Sequence, residues 1–174
     1  MTTIAVLFKN YGPYHFARLE QFHQVCNQVG WKAIGVELAR AELTYEWKAD
    51  SKSIICEFIS IIDDQVMEEV PVIKLTQALY RTLGNINPDV LVIAGYSPMI
   101  MLSAMIWCRL NRKPAILMTA SKEDDAERTL WKETTKSLIL RFYQAALVGG
   151  SPQKRYFEKL GMPSDRIFIG YDVV

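Results

Sequence analysis

The chain has 174 residues, 50 % of them apolar and 22 % charged, with 20 lysines and arginines against 19 aspartates and glutamates. That length suits one α/β domain, or a domain and a fragment, with enough apolar residues for a core that needs no staple. A formal net charge of +1 excludes a protein that holds nucleic acid by bulk electrostatics.

Residues 4–8 form a β-rich run, and a turn at Asn10-Tyr11-Gly12-Pro13 leads into an amphipathic helix. There Phe16, Leu19, Phe22, Cys26 and Val29 recur at three- and four-residue steps until Gly30 stops the pattern. Residues 31–38 read as a second strand, and an isoleucine-rich third lies within 53–62. The polar stretch 39–52 between them reads as solvated loop. A helix over 71–83 is expected to stop at Gly84.

From Val90 to Cys108 no charged residue stands, which imitates a membrane span. Gly95-Tyr96-Ser97-Pro98 interrupts it, so the stretch divides into a buried strand and a helix with Ser97 as N-cap and Pro98 at its first position. A fifth strand covers 114–119. The helix that follows Asp125 is expected to carry Leu130, Trp131, Thr134, Leu138 and Phe142 along its packed side. Residues 145–148 are a sixth strand, Ser151-Pro152 opens a helix that ends at Gly161, and 166–169 open a seventh strand. Apolar runs alternating with helices predict an α/β, Rossmann-like doubly wound parallel sheet of about seven strands in a single domain.

No basic region precedes the first apolar run, so no secretory signal is expected. Cys26, Cys56 and Cys108 are odd in number, widely spaced and without metal-ligand spacing. Reduced thiols, no metal and a cytoplasmic setting are the simplest expectation.

Such a sheet takes its ligand beyond the carboxyl ends of its strands. After the first strand, neither GxGxxG nor GxxxxGK[ST] is present, which demotes a dinucleotide and a P-loop nucleotide. One glycine, Gly12, stands beside a helix N-terminus, where backbone N–H groups can approach an anion. His15 either points into the mouth of the crevice or packs and caps its own helix. Gly95, Tyr96 and Ser97 suit a sugar or a ribose, and a tight turn with an N-cap explains Ser97 equally.

The cluster Ser121, Lys122, Glu123, Asp124 and Asp125 offers carboxylates to orient hydroxyls and a lysine for phosphate. Acidic residues in a helix's first turn also complement its dipole. Gly149 and Gly150 leave backbone free to approach a ligand, or serve close helix–strand packing. No nucleophile elbow and no His/Cys metal set appears. Arg109, Arg112, Lys113, Lys132, Lys136 and Arg141 would suit an anionic membrane surface, but solvated helix faces explain them as well.

Taken in order, IAVLFKNYGPYHFARL, NPDVLVIAGYSP, LMTASKEDDAERTLWKE and AALVGGSPQKRYFEKLGMPSDRIFIGYDVV resemble the N-terminal half of a GT-B glycosyltransferase, close to glycosyltransferase family 4. The resemblance implies a domain over residues 1–174 that mainly holds the acceptor, with the donor-binding C-terminal domain absent. It implies a nucleotide-sugar donor as co-substrate, no cofactor and no metal. Gly12 inherits a place near the donor phosphates, and Tyr14 and His15 border the acceptor pocket. The family's histidine after the fifth strand is replaced here by Ser121-Lys122-Glu123, so no general base is carried over.

The expected function is the acceptor side of sugar transfer to a glycan or other hydroxyl, weak or inactive alone. The alternative is a non-catalytic binding module completed by a partner protein in trans, and whether the chain is an enzyme turns on the second domain.

Overall fold

The computed structural model describes residues 1–41, 56–96, 99–121 and 130–171. Its strands are β1 (Thr3–Phe8), β2 (Lys32–Ala41), β3 (Glu57–Val66), β4 (Val90–Ala94), β5 (Ala115–Thr119), β6 (Ala145–Val148) and β7 (Ile167–Ile169). They form one sheet, all parallel, in the order β3-β2-β1-β4-β5-β6-β7. The helices between them are α1 (Pro13–Gln28), α2 (Val72–Ile86), α3 (Met99–Leu110), α4 (Leu130–Leu140) and α5 (Ser151–Lys159). The chain is thus a single Rossmann-like α/β domain.

Side chains alternate across a strand, so each face of the sheet builds its own core. Ile4, Val6 and Phe8 of β1 pack with Phe16, Leu19 and Cys26 of α1. Ala5 and Leu7 pack on the opposite face, with Leu75, Leu79 and Leu83 of α2, Met101 and Ala104 of α3, and Tyr156 and Phe157 of α5. Gly35 lets α1 settle on β2, since a Cβ there would lie 2.4 Å from Leu19 Cδ2 and 2.7 Å from Phe58 Cδ2.

Three local expectations change. First, Gly84 does not stop α2, which runs on to Ile86 and closes on Asn87 in the left-handed region (φ 45°), whose N–H donates to the Leu83 carbonyl. Asparagine tolerates that conformation because its short polar side chain bonds locally. Second, β2 runs on to Ala41, into the stretch expected to be loop (whose remainder, 42–52, lies outside the described residues), and β3 starts later and runs further than the isoleucine run implied. Third, α4 turns its expected apolar stripe outwards, with Trp131 67 % exposed and Leu138 half exposed.

The reason lies in α5. Tyr156 is buried, and its hydroxyl donates to Glu133 Oε1 (3.0 Å) and accepts from Lys136 Nζ (3.0 Å). Glu133, Lys136 and Leu140 share one face of α4, so satisfying that hydroxyl sets the rotation of the helix.

A paired substitution checks the packing. Gly84 sits in helix with open space around its missing Cβ, so Gly84→Ala should stabilise by about 0.5–1 kcal/mol. Gly35→Ala must displace Leu19 and the Phe58 ring and should destabilise by about 1–3 kcal/mol. Urea melts of both variants measure the two signs.

Candidate functional site

Strand order reverses between β1 and β4, because α1 leads β1 to one side while the later connections lead to the other. The loops after these two strands therefore diverge, and a crevice opens between them at the carboxyl edge. A cavity of about 450 Å³ lies there. Its walls are Lys9, Asn10 and the Gly12–His15 stretch after β1, Ala94 and Gly95 at the end of β4, Thr119 and Ala120 at the end of β5, and Tyr171 after β7.

The loop after β1 is fastened to the end of β2. Lys9 O accepts the N–H groups of Leu38 (3.1 Å) and Ala39 (3.2 Å). Asn10 Nδ2 donates to the carbonyls of Ala39 (3.2 Å) and Arg40 (2.7 Å). Glu37, opposite Phe8 in the sheet register and only 1 % exposed, accepts the Tyr11 N–H on Oε2 at 3.0 Å. Its Oε1 lies 3.1 Å from Arg40 Nε, an ion pair without hydrogen-bond alignment.

Burial pushes the Glu37 carboxyl above its ordinary value, opposed by the Tyr11 N–H, then by the Ser60 hydroxyl and then by Arg40. The Tyr11 hydroxyl donates to Val6 O (2.8 Å), and its ring sits edge-on to Phe8 and Phe58. Burial drives that phenol well above its usual range.

His15 satisfies both readings of its role. Its ring stacks on Phe8 (4.1 Å between centroids), and Nδ1 accepts the Gly12 N–H at 3.4 Å. That acceptor role places the ring proton on Nε2. The same ring lines the cavity. Gly12 has an extended backbone (φ −79°), so its conformation alone does not demand glycine, and its N–H already has a partner. Gly95 is in the left-handed region (φ 87°), and its N–H donates to Met118 O (2.7 Å), tying the β4 loop to β5.

The predicted residues thus divide. Gly12, Tyr14, His15 and Gly95 come together around the cavity. Tyr96 packs instead against the core on the far face. Ser121 is beside the rim, its N–H donating to Thr119 Oγ1 (3.1 Å). Gly149 and Gly150 lie off the cavity at the start of α5, where a Cβ on Gly149 would be 3.3 Å from the Tyr171 carbonyl. Ser97, Lys122, Glu123, Asp124 and Asp125 fall outside the described residues.

Sequence reading passed over Lys9, Thr119, Tyr171 and Glu37. Only Glu37 had a signal, a carboxylate between Val36 and Leu38 in a strand whose centre is otherwise apolar. Among the described residues no group of three His, Cys, Asp or Glu side chains could hold a metal, and no helix is long and apolar enough to cross a membrane. All three cysteines are buried as free thiols, and burial lifts Cys108 to about 12.

The sequence matches no protein-family model and no curated protein. The fold is nonetheless shared with solved structures of the GT-B kind. HepE from Anabaena in complex with UDP-glucose superimposes with a TM-score of 0.66 at 10 % identity, over 100 % of this chain and 44 % of that one. UDP-GlcNAc 2-epimerase from Neisseria meningitidis bound to UDP-GlcNAc gives 0.55 at 13 % identity, over 97 % and 45 %. MurG from Acinetobacter baumannii gives 0.59 at 11 %, over 100 % and 47 %. This chain therefore has the fold of one GT-B domain, N-terminal in kind, and spans less than half the length of these structures.

The clamp at Glu37 has a pH signature. The folded state holds this proton more tightly than the unfolded chain, so Glu37 costs stability as pH rises from its ordinary 4.5 through its raised folded value. Glu37→Gln keeps an acceptor for Tyr11 N–H and removes the titration. Between pH 4.5 and 7 the melting temperature of the wild type should fall relative to that of the variant. Parallel curves would show that Glu37 does not titrate in this window.

Proposed function

We propose that this chain is the acceptor-side domain of a retaining glycosyltransferase, close to family 4, that moves a sugar from a nucleotide-sugar donor to an acceptor hydroxyl. Alone it is weak or inactive, because most of the donor site belongs to a second domain. The observation that carries the reading is the crevice at the strand-order reversal, where Lys9, the start of α1 and Gly95 converge. The fold likeness to HepE solved with UDP-glucose and to the epimerase bound to UDP-GlcNAc supports a nucleotide-sugar as the partner.

In the transfer, the bond from the anomeric carbon to the diphosphate oxygen breaks and a bond to the acceptor oxygen forms, while the acceptor's proton leaves to a base. Negative charge grows on the departing diphosphate. Lys9 is the one lysine or arginine among the described residues lining the crevice, and it answers that charge. Tyr14 and His15 border the acceptor, and the carboxylates at Glu123, Asp124 and Asp125 orient its hydroxyls. No metal or resident cofactor takes part. The competing reading is a non-catalytic module completed by a partner protein.

Titration with UDP and UDP-glucose, followed by amide NMR of the whole chain, separates the two. Shifts should concentrate at Gly12, His15, Gly95 and Thr119. Lys9→Ala should weaken UDP binding about tenfold, the equivalent of one charge-assisted hydrogen bond. Millimolar UDP-glucose that moves none of these amides would take the donor diphosphate away from Lys9 and this crevice, and with it the observation that carries the sugar-transfer reading.

A further inference from the structure

Strands β6 and β7 begin at Ala145 and Ile167, so the turns leading into them lie at the amino edge of the sheet, opposite the crevice. A second polar cavity, of about 180 Å³, lies there between the end of α4 and the connection from α5 to β7. Ser137 on α4 and Arg141 just past its end line one part of it, Gly161 and Arg166 another. The buried Leu140, Tyr143 and Met162 also line it.

Backbone bonds hold this frame. The Ile139 and Leu140 carbonyls accept the N–H groups of Phe142 and Tyr143 (3.1 Å each), so those two oxygens at the helix end are already occupied. Gly161 N–H donates to Glu158 O (2.9 Å), Met162 N–H to Phe157 O (3.1 Å) and Arg166 N–H to Pro163 O (3.0 Å). Gly161 is in the left-handed region (φ 96°), and a Cβ there would stand 3.8 Å from Ser137 Oγ, so the turn after α5 passes close to that hydroxyl.

The charge of the cavity is unbalanced. No carboxylate lines it among the described residues. There, too, neither the two guanidiniums nor the Ser137 hydroxyl has a hydrogen bond or ion pair. In the amino-edge turns 111–114, 141–144 and 160–166, Arg112, Lys113, Arg141 and Arg166 stand against one carboxylate, Asp165. Two guanidiniums gathered at one cavity repel each other, and an anion between them reverses the sign of that interaction.

Size and charge name the occupant. A volume of about 180 Å³ falls below the roughly 300 Å³ at which pockets enclose a whole small ligand, so the cavity takes a group and not a molecule. A carboxylate offers one charge and two oxygens, enough for one guanidinium fork. A phosphomonoester carries about −1.5 to −2 charges at neutral pH and three acceptor oxygens, which match two forks and a hydroxyl. We propose that this cavity binds a phosphate group, with Arg141 and Arg166 as the two forks and the Ser137 hydroxyl as the third donor. The group belongs to a free phosphate or to a lipid headgroup, since both present the same oxygens. The site is on the far edge from the crevice, so it stands or falls independently of sugar transfer.

The test follows the arginine Nε–H and backbone amide NMR signals of the full chain during titration with sodium phosphate, at an ionic strength held constant with chloride. Saturable shifts at millimolar phosphate are expected at Ser137, Arg141, Gly161 and Arg166. Arg141→Gln and Arg166→Gln, both at exposed positions, should each weaken binding about tenfold with unchanged circular dichroism. Ser137→Ala should weaken it about threefold, and Lys113→Gln, outside the cavity, less than about twofold.

Flotation with phosphatidylcholine vesicles containing phosphatidic acid identifies the source. Capture that Arg141→Gln and Arg166→Gln abolish and Lys113→Gln spares assigns the site to a lipid headgroup. Phosphate shifts without such capture assign it to a free phosphate. Equal shifts with sodium acetate, a loss with Lys113→Gln as large as with Arg141→Gln, or silence towards both probes overturns the proposal.

Discussion

The constraint on which this structure depends is that seven parallel strands cannot lie beside one another without polypeptide crossing their faces. Each crossover must be right-handed, so the direction of travel along the sheet decides which face each helix covers. The chain goes one way from β1 to β3 and then the other way from β4 to β7. Two consequences follow from that single reversal. It opens a crevice at the carboxyl edge, and among the described residues it leaves α1 as the only helix on its face of the sheet.

The crevice keeps its shape through backbone fastening more than through side-chain packing. Asn10 and Lys9 tie the first loop to the end of β2, and Glu37 holds Tyr11 from below. A buried carboxylate is costly unless its oxygens find partners. Here a backbone N–H and a guanidinium supply them, so the geometry of the loop and the ionisation of Glu37 depend on each other. The His15 ring, stacked on Phe8 and bonded to Gly12, completes this rim.

Legibility in the sequence varied with the range of the cause. Strands β1, β4, β5 and β6 could be placed to within a residue or so, because short apolar runs between turn residues have few other uses. The pairing of Gly12, Tyr14 and His15 with Gly95 was legible too, since the ligand edge of such a sheet follows from strand polarity. The face of α4 was misread because the stripe of Trp131 and Leu138 obeys helical periodicity as well as the true inner face does. Only the hydroxyl of Tyr156, on another helix, decides between them. Tyr96 was expected at the crevice for its chemistry, yet it packs, partly buried, against the core on the opposite face.

By itself, then, the amino-acid order determined the alternation of strands and helices, the neutral and thiol-bearing character of the chain, and the edge where a ligand belongs. Those properties are local, set by the period of apolar residues and by turn chemistry within a few positions. Only the tertiary structure decided that Glu37 sits under Tyr11, that Gly149 and Gly150 stand away from the crevice, and that α1 shares its face with an apolar groove floored by Val92, Ile116, Met118 and Leu147. Each of these depends on which distant segments become neighbours, and neighbours across a sheet are chosen by strand order, which no local pattern encodes.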